Sequence, residues 1–176
     1  MPARSELGLL QLYTGYGKGK TTAALGLAVR ASGHGFRCFI LQFMKGRPTG
    51  EQQAIEGLSG IQLEQFGTTS WVESGNPTAP QRTEAAKGLQ RASDILDKHL
   101  ADILILDEIL TAISCDLLLL SDVIDLLDGR SQPVEIVLTG RDAPEQLIEM
   151  ADLVSSIQSV KHPFTEGIPA RRGIEY

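Results

Sequence analysis

Two lysines, a pair of threonines and two adjacent acids are the residues of this chain whose types and spacing could do chemistry. The basic and hydroxyl residues lie together in Thr14-Gly15-Tyr16-Gly17-Lys18-Gly19-Lys20-Thr21-Thr22. The acids, Asp107 and Glu108, close the apolar run Ile103-Leu104-Ile105-Leu106 far downstream. Glycines let successive backbone N–H groups converge without Cβ clashes, and a helix N-terminus adds partial positive charge. Lys20 can reach phosphate oxygens as a mobile cation, and the Thr21 hydroxyl can hold Mg²⁺. The usual pattern, G-x-x-x-x-G-K-[ST], has glycine where this chain has Thr14, but Gly19-Lys20-Thr21 is intact and Lys18 adds a second cation. An acid at a strand tip beside such a loop completes a Mg²⁺ shell, directly or through water. Each stretch alone has a plainer reading, a Gly/Lys-rich surface turn or an ordinary acidic strand end. Together they point to nucleotide phosphate binding.

These residues need strands that end at one edge of a sheet. Residues 7–13 are apolar enough for a strand before the loop, and a helix follows in which Ala24, Ala28 and Ala31 allow close approach to the sheet. Gly33 and Gly35 stop that helix, as expected just past a C-terminus, with His34 between them as a capping or surface residue. Residues 37–43 read as a second strand, apolar almost throughout and so buried on both faces. It runs into Met44-Lys45-Gly46-Arg47, which is either a solvated basic turn or a ligand contact, since ligands bind beyond strand C-termini in an open parallel sheet. A short helix over 51–56, a strand over 61–66 and a long irregular stretch over 67–80 come next. That stretch holds the lone tryptophan, Trp71, either a core anchor or a face for a large planar ligand.

A helical period covers 81–100, and the acid-tipped strand follows. The remaining expectations are a helix over 121–127 capped by Ser121 and stopped at Gly129, a strand over 134–139, and a helix N-capped by Asp142 with Glu145 three residues on. A last strand spans 153–160, and the polar tail carries Arg171-Arg172. Alternating strands and helices imply an α/β protein, a P-loop (RecA-like) mainly parallel sheet with helices on both faces, in one domain over 1–176.

A length of 176 residues is enough to bury a real core. The formal charge of -6 disfavours non-specific nucleic-acid binding, although basic residues gather at Lys18 and Lys20, Lys45 and Arg47, and Arg171 and Arg172. Cys38 and Cys115 lie in apolar surroundings without metal-ligand spacing and read as buried free thiols, which suits a reducing cytosol. With no apolar run of membrane-spanning length and no signal-peptide core over residues 1–5, the expectation is a cytoplasmic protein without membrane association.

Several pieces in order carry the reading further: Thr14 through Ala24, Leu41-Gln42-Phe43-Met44-Lys45-Gly46, Leu106-Asp107-Glu108, Leu138-Thr139-Gly140-Arg141, Val160-Lys161-His162 and Gly173-Ile174-Glu175-Tyr176. In them the chain resembles the P-loop ATP:corrinoid adenosyltransferases, the cob(I)alamin adenosyltransferases of corrinoid synthesis and salvage. The threonine at the first loop position is itself a trait of that family. The resemblance implies transfer of the 5′-deoxyadenosyl group of ATP to Co(I) of a corrinoid, with release of triphosphate. It implies ATP held by residues 14–22 and Arg30, and Mg²⁺ (or Mn²⁺) at Thr21 and Glu108 with Asp107 in support. Lys18, Lys20 and Glu108 become the catalytic residues, and Trp71, Lys45 and Gln42 the corrinoid contacts. It also implies a homodimer and a reductant protein such as a flavodoxin. Two departures stand out. The family's aromatic-x-aromatic pair is reduced to one ring in Thr69-Ser70-Trp71-Val72, and only a few residues precede the first strand. The rival readings are a RecA-like ATPase or switch, in which Glu108 polarises water, and an ATP sensor acting through the 67–80 loop.

Overall fold

The computed structural model describes residues 6–174, so residues 1–5 and, in the last of the quoted pieces, Glu175 and Tyr176 lie outside the described residues. The chain builds one six-stranded sheet in the order β3-β2-β4-β5-β1-β6. Its strands are β1 (Leu10–Thr14), β2 (Cys38–Phe43), β3 (Ile61–Phe66), β4 (Ile103–Asp107), β5 (Glu135–Thr139) and β6 (Leu153–Ser156). Every pairing is parallel. The parallel arrangement brings Thr14, Phe43, Asp107 and Thr139 to one edge of the sheet. Strand β5 lies between β1, which leads into the glycine loop, and β4, which carries the acids.

Side-chain alternation divides the core. Phe39, Leu41 and Phe43 of β2, with Leu104 and Leu106 of β4, face one layer, while Cys38, Ile40, Ile103 and Ile105 face the other. The first layer is covered by α3 (Ala79–Asp97), α4 (Ile109–Ser114), α5 (Leu120–Asp128) and α6 (Glu145–Met150), through residues such as Ile95, Leu110, Leu127 and Leu147. The second is covered by α1 (Lys20–Gly33), whose Ala24, Ala28 and Ala31 lie flat on the sheet, and by α2 (Gly50–Ile55) through Ile55. The sequence expectation of helices on both faces of a parallel sheet therefore holds, and so does the small-residue contact face of α1. Both thiols are free; Cys38 is buried, which pushes its pKa up to about 11, and Cys115 is half-buried. Among the described residues no helix is long and apolar enough to cross a membrane.

Four local expectations need correction. The first strand begins at Leu10 rather than residue 7, because the N–H groups of Gly8 and Leu9 turn to Glu135 Oε2 instead of a neighbouring strand. Ser121 is not the cap of α5: that helix starts at Leu120, and the Ser121 hydroxyl bonds Asp122 Oδ1. Asp142 does not cap α6, which begins at Glu145 after Pro144; Asp142 sits at φ 52 and accepts the Tyr16 hydroxyl. Strand β6 stops at Ser156 because the chain there turns onto the glycine loop, with Gly17 N–H donating to Ile157 O at 2.8 Å. Helix α4 was not foreseen. It follows Glu108, whose left-handed φ of 63 breaks the β4 direction abruptly.

Candidate active site

The loop between β1 and α1 owes its shape to what lies behind it. A Cβ on Gly15 would stand 2.4 Å from Ile157 O, and one on Gly17 would stand 2.7 Å from the Gln158 carbonyl. Those two glycines let the 157–158 backbone press against the loop. Gly19, at φ 121, turns the chain into α1, and Ala23 N–H closes the first helical bond to its carbonyl at 2.8 Å. Lys20 is 7% exposed, and its ammonium donates to Gly15 O at 2.7 Å and Gly17 O at 2.9 Å. Burial is the main reason its pKa is lowered, with Arg141 adding to that and the nearby Glu108 and Asp107 opposing it. Lys18 lines the cleft and donates to Ile174 O at 3.0 Å.

The acids behave differently from one another. Asp107 is almost fully buried, and three side chains point hydrogens at it. Thr139 Oγ1 donates to Oδ1 at 2.6 Å, Thr21 Oγ1 to the same oxygen at 2.9 Å, and Gln42 Nε2 to Oδ2 at 3.1 Å. Burial raises its pKa foremost; the Thr139 bond pulls it back, Glu108 raises it again, and Thr21 and Gln42 lower it. The Thr139 oxygen also accepts the Glu108 N–H at 2.9 Å, so the strand between the loop and the acids clamps both. Glu108 leans into the cleft with Oε2 accepting from Thr111 Oγ1 at 2.6 Å.

A cleft of about 590 Å³ opens over the loop. It is lined by the loop with Lys18, Lys20, Thr21 and Thr22, by Lys45 and Glu51 beyond the end of β2, and by Glu108, Arg141 and His162. The donors available to a cation are the Thr21 hydroxyl and the carboxylates of Asp107 and Glu108. Among the described residues no cluster of three His, Cys, Asp or Glu forms a metal cage. That donor set suits a hard cation that also takes oxygens from a bound phosphate chain, rather than one held by protein alone.

Three expected site residues are not gathered here. Gln42, expected at the corrinoid, is 0% exposed, does not line the cleft, and is enclosed by Asp107, Glu51 and Gln65, with its amide donating to the Asp107 carboxylate. Arg30 sits in the last turn of α1, ten residues and about 15 Å along the helix from Lys20, and does not line the cleft. Trp71 is 92% exposed, which excludes the core-anchor reading; its ring lies outside the cleft. Thr14 ends β1 and its carbonyl accepts from Ile157 N–H at 2.8 Å. Sequence reasoning assigned no role to Thr139, Thr111, Glu51, Arg141 or His162. Thr139, Arg141 and His162 lay in pieces shared with a known family, which was the available signal.

The model of the family ATP:corrinoid adenosyltransferase BtuR/CobO/CobP matches residues 6–176. The chain is 37% identical to corrinoid adenosyltransferase CobA of Salmonella typhimurium, over 99% of this chain and 88% of that protein. It is 37% identical to a corrinoid adenosyltransferase of a Sinorhizobium species, over 97% of this chain and 81% of that one. Among solved structures, a KaiC-like protein of Pyrococcus horikoshii OT3 superimposes with a TM-score of 0.54 at 17% identity, covering 86% of this chain and 73% of that one. This last likeness speaks for the fold alone, and it agrees with the P-loop sheet described above. A glycine loop, lysine, threonine and strand-tip acids around one cleft, with sequence matches running almost from end to end, have one common explanation: the chain belongs to the ATP:corrinoid adenosyltransferase family.

Proposed function

We propose that this chain transfers the 5′-deoxyadenosyl group of ATP to the Co(I) of a corrinoid. The electron pair on Co(I) attacks C5′ and forms the Co–C bond, taking cobalt formally to Co(III). The C5′–O bond breaks, its electron pair stays on the α-phosphoryl oxygen, and the three phosphates leave as one triphosphate. Co(I) is already a strong nucleophile, so the protein need not supply a base. Its tasks are alignment and stabilisation of the charge that grows on the departing chain.

The observation that carries this reading is the state of the two acids beside a complete phosphate loop. Asp107 accepts hydrogens from Thr21, Thr139 and Gln42, and Glu108 Oε2 is engaged by Thr111, so the site is built around charge placement. Lys20, Lys18 and the loop N–H groups would hold the triphosphate. Mg²⁺ (or Mn²⁺) would sit at Thr21 and Glu108 with Asp107 behind, where it would neutralise phosphate charge. Lys45, which lines the cleft, and Trp71 remain the corrinoid-side residues of this reading. The family resemblance extends it to a homodimer in the cytoplasm, served by a reductant protein such as a flavodoxin.

The rival of a RecA-like ATPase or switch cleaves between the β- and γ-phosphates. Product analysis with ATP, Mg²⁺ and chemically reduced corrinoid separates the two. Triphosphate should accumulate one-for-one with the Co–C bond, whereas ADP and phosphate in that ratio would replace this proposal with the rival.

A further inference from the structure

Arg141 lines the cleft beside the loop, its guanidinium next to the ring of Tyr16. Its backbone is fixed with unusual care. Gly140, at φ 145, lies flush on α4, where a Cβ would stand 2.6 Å from Thr111 N and 2.7 Å from Leu110 Cβ. Arg141 N–H donates to Thr111 Oγ1 at 3.0 Å, and that same hydroxyl donates to Glu108 Oε2. One threonine therefore sets the position of Arg141 relative to the Glu108 carboxylate.

The side chain, by contrast, is exposed and lines the cleft. Its guanidinium carbon lies 5.6 Å from the centroid of the Tyr16 ring, and the Tyr16 hydroxyl is held by Asp142 Oδ1. Among the described residues the Arg141 guanidinium has no ion pair or hydrogen bond, so its five N–H donors are uncommitted. Lys20 gives hydrogens to Gly15 and Gly17, and Lys18 gives one to Ile174, so both cations already serve the chain itself. A guanidinium binds phosphate oxygens in a two-pronged fork, which an ammonium cannot do. An exposed stack on a tyrosine is weaker than such a contact, so a bound phosphate chain can draw the side chain off its perch.

We propose that Arg141 binds the triphosphate as its third protein cation, in the same cleft as Lys18 and Lys20, and stabilises the charge left on it when the C5′–O bond breaks. Before phosphate binds, the Tyr16 ring holds the guanidinium beside the loop. The inference rests on the adenosyl-transfer reading above and adds a residue to its leaving-group side.

The test uses the whole chain and inorganic triphosphate with Mg²⁺ as probe. Calorimetry gives the Kd, and stopped-flow absorbance gives the rate of Co–C bond formation from chemically prepared Co(I) cobalamin. Arg141→Ala should weaken triphosphate binding and lower kcat by about 10²-fold, the loss typical of one charge-stabilising donor. Arg141→Lys should recover part of the binding but little of the rate, and unchanged melting temperatures would separate this from loss of structure. Arg141→Ala and Arg141→Gln with wild-type triphosphate affinity and kcat would overturn the assignment. Failure of the wild type itself to form the Co–C bond would instead overturn the adenosyl-transfer reading.

Discussion

Replacing Lys20 by methionine keeps the stem and removes the charge, and the structure sets two opposing terms. The ammonium makes two charge-assisted hydrogen bonds, to Gly15 O and Gly17 O, and such bonds contribute roughly 1.5–3 kcal/mol each in mutational series. Against them stands the burial of a charged group only 7% exposed, whose desolvation costs several kcal/mol. The terms are of like size, so Lys20→Met should change unfolding free energy by no more than about 1 kcal/mol. The rate should fall far more, by about 10²–10³-fold, because in the proposed reading the missing cation would face the leaving triphosphate. Urea unfolding and the Co–C bond-forming rate measure the two separately. The pH dependence supplies a sign. Burial lowers the Lys20 pKa from its ordinary 10.5, so between the folded value and 10.5 the unfolded chain binds more protons and stability rises with pH. The wild type should therefore gain on Lys20→Met as pH is raised through that window. A destabilisation above about 2 kcal/mol would show that Lys20 chiefly braces the loop. A rate within a few-fold of wild type would refute its role in charge stabilisation.

Two further outcomes follow from geometry. Gly17→Ala puts a Cβ 2.7 Å from the Gln158 carbonyl and should cost about 1–3 kcal/mol, while Gly26→Ala, with open space around its Cβ on α1, should stabilise by about 0.5–1 kcal/mol; equal effects in thermal unfolding would contradict the packing argument. Trp71→Ala should leave stability within about 0.5 kcal/mol, since the ring is exposed, yet should weaken the four-coordinate Co(II) spectrum and slow adenosylation from Co(II) more than from Co(I); equal rates from both oxidation states would remove Trp71 from the corrinoid side.

Much of this protein is written locally. Strands β2, β4 and β5 are short, mainly apolar runs, and the phosphate loop joins a strand to a helix, so each is settled by residues within a few positions of one another. The small side chains of α1 likewise announce a helix laid flat on a sheet, and they lie there. Turn and cap chemistry was less legible, because it depends on partners far along the chain. Asp142 carries the residue type of a cap, yet its carboxylate is taken by Tyr16, 126 residues away. Gln42 reads as a strand-end polar group suited to a ligand. Only the pairing of β2 with β3 and β4 encloses it among Gln65, Glu51 and Asp107 and makes it a support for a buried carboxylate. The glycines of the loop invite a ligand-only explanation, but two of them are required by the 157–158 backbone, which sequence spacing could not bring there. The chain by itself therefore determined which groups could bind phosphate. The order of the strands, with β5 between loop and acids, decided that Thr139 clamps Asp107 and Glu108 and that Arg141 and Lys20 line the same cleft, because contacts between distant segments exist only once the sheet has formed.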